Sequence, residues 1–254
     1  MTTDTSPFAE TFSSRRAAFR ALHREGFFVL PNPWDAGGAV RLRKLGFKAL
    51  ASTSAGMAWS WGRADGEVGV DEVIEHLRLL VAATDLPVNA DFEAGFADSA
   101  QGVAANVARA VETGVAGLSI EDRVGKDLYA LDDAVARIAA ARAAIDASGQ
   151  DVMLVGRTEG FLIGRDDLAP TIERLVAYAE AGADCLYAPG VTRYDDIAAI
   201  VAAVAPKPVN VLLWGPDMKL ADLPGLGVRR ASTGAALAAA AWAGFEAAAK
   251  DLLV

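Results

Sequence analysis

Polar groups collect where an apolar run ends in the stretch VNADFEAGF: Asn89, Asp91 and Glu93 follow directly on Leu86-Pro87-Val88. An unpartnered buried carboxylate is costly, so a metal ion, an arginine or pocket water must receive these groups. Two further runs end the same way, GLSIEDR at Glu121, Asp122 and Arg123, and VGRTEGF at Arg157 and Glu159. Hard carboxylate oxygens with room for water suit Mg²⁺ or Mn²⁺, which makes Asp91 and Glu121 the metal candidates. Arg157, after the apolar VMLVG, carries a planar charge able to hold a substrate carboxylate by two bonds. Thr53, Ser54 and Ala55 offer hydroxyls and backbone N–H groups to a second anionic oxygen. Trp34 and Asn210 stand at two further run ends and complete the candidate binding set.

Such residues work together only if the chain brings their run ends to one place. Four junctions look alike, LGFKALAS, TGVAGLSI, AGADCLYA and LGVRRAST, each with a glycine (Gly46, Gly114, Gly182, Gly227) closing an Ala/Leu-rich helical segment. With the strand starts between them, the pattern predicts strands near 27–31, 49–53, 87–91, 117–121, 152–157, 185–188, 208–213 and 228–232. Helices are expected near 36–45, 70–83, 99–113, 131–147, 166–181, 193–204 and 234–252, with a short one near 218–223. Eight strand-plus-helix units imply an α/β fold, a closed (β/α)8 TIM barrel, with a helix over about 8–25 capping its bottom. An open doubly wound sheet is the alternative, but no glycine-rich dinucleotide fingerprint follows the first strand. No linker divides the chain, so residues 1–254 read as one barrel domain. In such a barrel the active site lies at the carboxyl ends of the strands, where the candidate residues converge.

The net charge of −9 argues against nucleic acid or an anionic membrane as partner, since both call for clustered Lys and Arg. A single cysteine, Cys185, excludes an internal disulfide framework and multi-cysteine zinc sites, and fits the cytoplasm. It reads as a small core residue at the start of its strand. His23 and His76 fall in helices away from the mouth, against a histidine zinc site. The N-terminal stretch lacks the apolar core of a signal peptide, and no run approaches a membrane span. Acids at strand ends can also serve as ion-pair partners; Glu159 and Asp122 fit that role best. Trp59 and Trp61 read as loop packing or a lid.

TSAGMAWSWGRADG, VNADFEAGF, GLSIEDR, VGRTEGF and AGADCLYAPG stand in the order and spacing of the isocitrate lyase and phosphoenolpyruvate mutase superfamily, which the chain resembles from about Asn32 to Gly234. The resemblance implies a barrel in which Mg²⁺ holds a small anionic 2-oxo acid or its enolate while a C–C or P–C bond is made or broken. It also implies that Ser54, Thr53 and Ala55 grip the carboxylate, that Asp65 orients metal-bound water, and that Asp91 and Glu121 sit in the metal shell. Arg157 would lie near the substrate. The family usually has Asp-x-Asp where this chain has Asn89-Ala90-Asp91; the amide can still join the metal set but brings no charge. The lyases' Lys-Cys-Gly-His loop is replaced by EDRVGKDLYALDD, where Lys126 and Tyr129 are the groups able to transfer protons. The expectation is therefore C–C cleavage of an oxaloacetate-like acid rather than of isocitrate. A 2-oxo acid binding protein without chemistry and a phosphonate enzyme are the alternatives. The apolar last helix, AALAAAAWAGFEAAAKDLL, points to a subunit contact, a dimer or tetramer of the family kind that exchanges this helix.

Overall fold

The computed structural model describes residues 7–215 and 217–253, with side chains from residue 12 onward; of the N-terminal stretch read for a leader, residues 1–6 lie outside the described residues. Eight short strands form one parallel sheet: β1 (Phe28–Leu30), β2 (Leu50–Ala51), β3 (Val88–Asp91), β4 (Gly117–Glu121), β5 (Met153–Arg157), β6 (Cys185–Tyr187), β7 (Val209–Leu212) and β8 (Arg230–Ser232). They pair in sequence order from β2 to β8, and β8 pairs with β1. The seam between β1 and β2 is spanned by Ala51 N–H donating to Pro31 O at 3.1 Å and by the Asn32 amide donating to Ser52 O at 2.8 Å. The expected (β/α)8 barrel is thus present.

Helices α1 (Pro7–Leu22), α2 (Ala36–Lys44), α3 (Ser54–Ser60), α4 (Val70–Ala82), α5 (Ala100–Glu112), α6 (Leu131–Ala147), α7 (Leu168–Glu180), α8 (Tyr194–Val204) and α9 (Ala236–Lys250) accompany the strands. Their sequences explain why they form and where they face. In α4, Val73, Ile74, Leu77, Leu80 and Val81 recur at helical spacing and are buried. Asp35 and Ser99 cap α2 and α5 by accepting from Gly38 N and Gly102 N. Gly46, Gly114, Gly182 and Gly227 take φ of +90°, +91°, +105° and +81°. At Gly182 space matters as well, because an added Cβ would lie 2.6 Å from the Arg142 side chain.

The capping role expected of the first helix is borne out. Phe19 of α1 is fully buried against Phe28, Ala49 and Met153 at the amino ends of the strands. Arg16 donates to Val115 O at 3.0 Å, to Val111 O at 2.8 Å and to Gln150. Arg20 pairs with Asp151 at 2.6 Å and Asp184 at 3.2 Å. Three elements escape the sequence pattern: α3, a 3-10 turn over Gly160–Ile163, and a hairpin of Arg123–Val124 with Asp127–Leu128.

Candidate active site

The carboxyl ends of β3, β4 and β5 bring Asp91, Glu121 and Arg157 together, with Glu121 and Arg157 direct cross-strand partners. Arg157 Nη1 lies 3.0 Å from Asp91 Oδ1 and 3.3 Å from Glu121 Oε2, while its Nε donates to Glu159 Oε1 at 2.6 Å. Asp91 is held from both sides: its Oδ2 accepts from Ser54 N at 3.1 Å and its N donates to Ser52 Oγ at 2.8 Å. Behind Glu159 stands buried Asp122, which accepts from Glu159 N at 2.9 Å, from the Tyr178 hydroxyl at 2.6 Å and from Arg174 at 3.2 Å. Asp122 therefore fixes the backbone that aims Glu159 at Arg157.

Glu93 joins this group from the loop after β3, with the uncommon backbone φ of +44°. That loop is clamped: the Asn106 amide donates to Gly95 O and Phe96 O, and Arg137 donates to Ala94 O, Ala97 O and Asp98 O. Glu121 N donates to Glu93 O at 2.9 Å. Such over-determination is what keeps a non-glycine residue in the left-handed region.

A cavity of about 380 Å³ opens between Ser54, Asp65, Glu93, Glu121, Arg157 and Glu159. Asp91, Glu121 and Glu159 meet the Arg157 guanidinium, and Glu93 and the more exposed Asp65 border the same cavity, where Arg123 is exposed as well. The imbalance shows in the acids. Burial, then Asp91 and Asp65, push the Glu93 carboxyl up to about 8. Burial raises Glu121 well above the usual range, against Arg157 and with Glu159 and Asp91 adding to the rise. Asp65 is raised by burial, partly offset by its bond from Ser54. Burial alone would lower Arg157, but Glu159, Glu121 and Asp91 outweigh it and hold the guanidinium firmly charged.

This arrangement bears on whether a divalent cation fits. Arg157 stands between the acids, and among the described residues no three His, Cys, Asp or Glu side chains converge as ligands. The charge count nevertheless favours a hard dication, because three carboxylates share one arginine and Glu93 Oε1 is buried with no hydrogen-bond partner. An all-oxygen acidic donor set with space for water matches Mg²⁺ or Mn²⁺.

A second cavity, of about 430 Å³, shares Ser54, Asp65 and Arg157 with the first and runs down the barrel. Its upper wall is apolar, with Trp59, Leu162, Leu212 and Trp214; its depth is polar, with Ser119, Tyr187, Asn210, Arg230 and Ser232. Tyr187 lies with its ring 5.3 Å from the Arg157 guanidinium carbon and its hydroxyl 3.5 Å from Ser232 Oγ. Burial pushes the Tyr187 hydroxyl up to about 12, so it keeps its proton at neutral pH.

Thr53, Ser54, Ala55, Asp91, Glu121, Arg157 and Asn210, read from the strand ends, border these two cavities, and so does Asp65, which the resemblance implies. Other sequence expectations need correction. Ser54 opens α3, with Thr53 as its cap, and its N–H, expected to be open to an anionic oxygen of the substrate, is already taken by Asp91. Asn89 does not join the acids: it lies lower on β3 and turns its Oδ1 to Arg230 Nη1 at 3.4 Å. Trp34 lines neither cavity; its carbonyl accepts from His76. Lys126 is exposed at the hairpin turn, and the Tyr129 ring stacks on the Arg137 guanidinium at 3.8 Å, so neither reaches the cavities. Tyr187, Arg230 and Ser119 were not legible as site residues: Ser119 lies inside β4, Arg230 opens β8, where a charge reads as surface, and Tyr187 ends β6 as an aromatic that reads as core. Glu93 was visible from its place behind Asp91.

The sequence pattern of the phosphoenolpyruvate phosphomutase family matches residues 19–253. A solved chain from Burkholderia cenocepacia J2315, assigned only provisionally as a lyase/mutase, is 48% identical with a TM-score of 0.92, over 96% of this chain and 89% of its own. The 2-methylisocitrate lyase of Escherichia coli (strain K12) is 33% identical over 188 residues, 69% of this chain and 62% of its own. The oxaloacetate decarboxylase of Bradyrhizobium sp. (strain ORS 278) is 30% identical over 238 residues, 87% of this chain and 77% of its own.

Proposed function

Because the chain belongs to the phosphoenolpyruvate phosphomutase family, we propose that it is a Mg²⁺- or Mn²⁺-dependent lyase that cleaves a C–C bond of a small, oxaloacetate-like 2-oxo acid through an enolate. The observation that carries this reading is the cluster of carboxyl groups around Arg157, opening on both cavities. Asp91 and Glu121 would hold the cation, with Asp65 and Glu93 close by. When bound, it supplies Lewis-acid charge to the oxygens of the 2-oxo acid.

The chain's own groups do the rest. Arg157, kept charged by its three acids, faces the oxygen on which negative charge develops. Ser54 and Ala55, at the junction of the two cavities, flank the substrate carboxylate. Cleavage of the bond between C3 and its carboxylate sends the electron pair toward C2 and its oxygen, giving the enolate and CO₂. Return of a proton to C3 falls to Tyr187 Oη, whose proton is replaced from water entering the cavity, now that Lys126 and Tyr129 are placed elsewhere. A phosphonate reaction is less well served, since Thr233 N and Gly234 N both donate to Asn32 Oδ1 and are not free to cradle a phosphate. The exposed apolar face of α9 supports assembly into a homodimer or homotetramer.

Purified chain incubated with Mg²⁺ and a panel of 2-oxo acids, followed by CO₂ and pyruvate release, tests the proposal. Turnover that vanishes in Asp91→Ala is expected. Tight Mg²⁺-dependent binding with no turnover anywhere in the panel would favour a binding protein instead.

A further inference from the structure

Arg230 of β8 is 2% exposed and points into the barrel beneath the site. Its Nε donates to Asn210 Oδ1 at 3.0 Å, and its Nη1 to His23 Nε2 at 3.1 Å and Asn89 Oδ1 at 3.4 Å. His23 Nδ1 lies 2.8 Å from the Phe19 carbonyl, which fixes the proton there and leaves Nε2 as an acceptor. Every one of these partners is neutral. Among the described residues no carboxylate lies within 4.0 Å of Arg230, whereas Arg157 has three. Arg16 and Arg137, equally buried, are filled by backbone carbonyls, whereas Arg230 meets only side-chain amides and an imidazole and borders the cavity, so an anion entering there would gain a charge partner.

The cavity provides the route, since Arg230 is part of its lining, together with Asn89, Asn210, Ser119, Tyr187 and Ser232. Depth follows from the register: Arg157 pairs with Tyr187, Tyr187 with Asn210, and Asn210 with Arg230. Three strand spacings of about 4.8 Å, tilted roughly 36° to the barrel axis, put Arg230 about 8 Å deeper than Arg157. That is the scale of an extended four- or five-carbon chain. Position 89 matters too. An aspartate there would neutralise Arg230 in place, whereas asparagine leaves the cation uncommitted.

We propose that Arg230 receives a second anionic group at the far end of the substrate, so that the site selects 2-oxo acids carrying a distal carboxylate over those ending in a methyl. This rests on the reading of the mouth as a 2-oxo acid site, and Asn210 and Asn89 then act as neutral props that orient the guanidinium without quenching it.

Calorimetry on the Mg²⁺-loaded chain tests it with three probes: oxalate, which has no far end, and 2-oxoglutarate and 2-oxopentanoate, which differ only there. Wild type is expected to prefer 2-oxoglutarate by about 30-fold or more, the effect of one desolvated charge pair. Arg230→Gln should reduce the preference to within about threefold while oxalate affinity holds, and Asn89→Asp should do the same by pairing the guanidinium internally. Circular dichroism identifies a variant that fails to fold, and Arg230→Lys, which keeps the charge, should retain part of the preference. Equal affinity of wild type for the two five-carbon acids, or an Arg230→Gln chain that loses oxalate to the same degree, overturns the assignment of Arg230 alone. Failure of wild type to bind oxalate or either acid removes the mouth reading and this one with it.

Discussion

At the scale of single residues, the site contrasts two arginines: Arg157 is over-supplied with acids and Arg230 has none, and Tyr187, the strand-register neighbour of Arg157 on the side toward Arg230, keeps its proton. Tyr187→Phe removes one oxygen and leaves the ring against Arg157. Turnover of the preferred 2-oxo acid should fall by about 100-fold or more, the usual contribution of a positioned proton donor, with oxalate affinity unchanged; stopped-flow rates and calorimetry read the two separately. His23 gives a pH prediction of a different kind. Burial first, and then Arg230, lower its imidazole from 6.5 to about 3, so the folded chain holds it neutral while the unfolded chain binds a proton below about 6.5. The unfolded state therefore takes up more protons as pH falls, and the stability carried by neutral His23 is present above 6.5 and lost progressively toward 3. The loss is roughly 3 kcal/mol at pH 4. In urea titrations His23→Gln should lose less stability than wild type between pH 6.5 and 4, and equal slopes for the two chains would contradict this.

At the scale of elements, α1 is the piece whose removal from the barrel floor is easiest to test without touching chemistry. Arg16 is 3% exposed and satisfies Val111 O in the last turn of α5 and Val115 O in the turn before β4. Arg16→Met keeps the bulk but leaves Val115 O without this donor, while Val111 O keeps its bond from Gly114 N, and should lower stability by about 1–3 kcal/mol, with KM and kcat for the preferred acid unaltered at 25 °C. A changed kcat would mean that the floor and the site are coupled. The elements also show what could be read beforehand. Gly46, Gly114, Gly182 and Gly227 mark helix ends so regularly that the barrel count follows from them, and the acids at the strand ends follow from the count. By contrast, α3 has seven residues, fewer than two full turns and too few to show a period, and the hairpin strands have two residues each. Arg230, the first residue of β8, carried no signal either. In LGVRRAST an arginine at the start of a strand reads as a surface group, and only the barrel, with Asn89, Asn210 and His23 facing it, gives that charge a buried position.

At the scale of the whole molecule, α9 is the element the barrel does not explain. Over Ala236–Lys250 only Ala238 is buried, while Trp242, Phe245, Leu252 and Leu253 are 37%, 65%, 79% and 81% exposed. An alanine-rich helix of 15 residues is marginal in water without packing, and apolar side chains gathered on one exposed segment mark an interaction surface. Trp242 and Phe245 meet edge to face at 5.7 Å, forming a paired aromatic knob rather than scattered surface residues. A second copy of the chain is the proposed cover, through the same helix, because a self-complementary patch closes into a dimer. Light scattering should give a mass at least twice the 26.4 kDa of one chain. Phe245→Glu should shift that mass toward the monomer and lower the melting temperature by several degrees, since each about 1 kcal/mol lost moves a chain of this size by about 2–4 °C. Because Ala236 and Ala239 at the root of α9 line the deep cavity, the same substitution should also raise KM while leaving the metal dependence of turnover intact. A monomeric wild type with full activity would show that α9 stands alone, and would leave its aromatic pair without a partner.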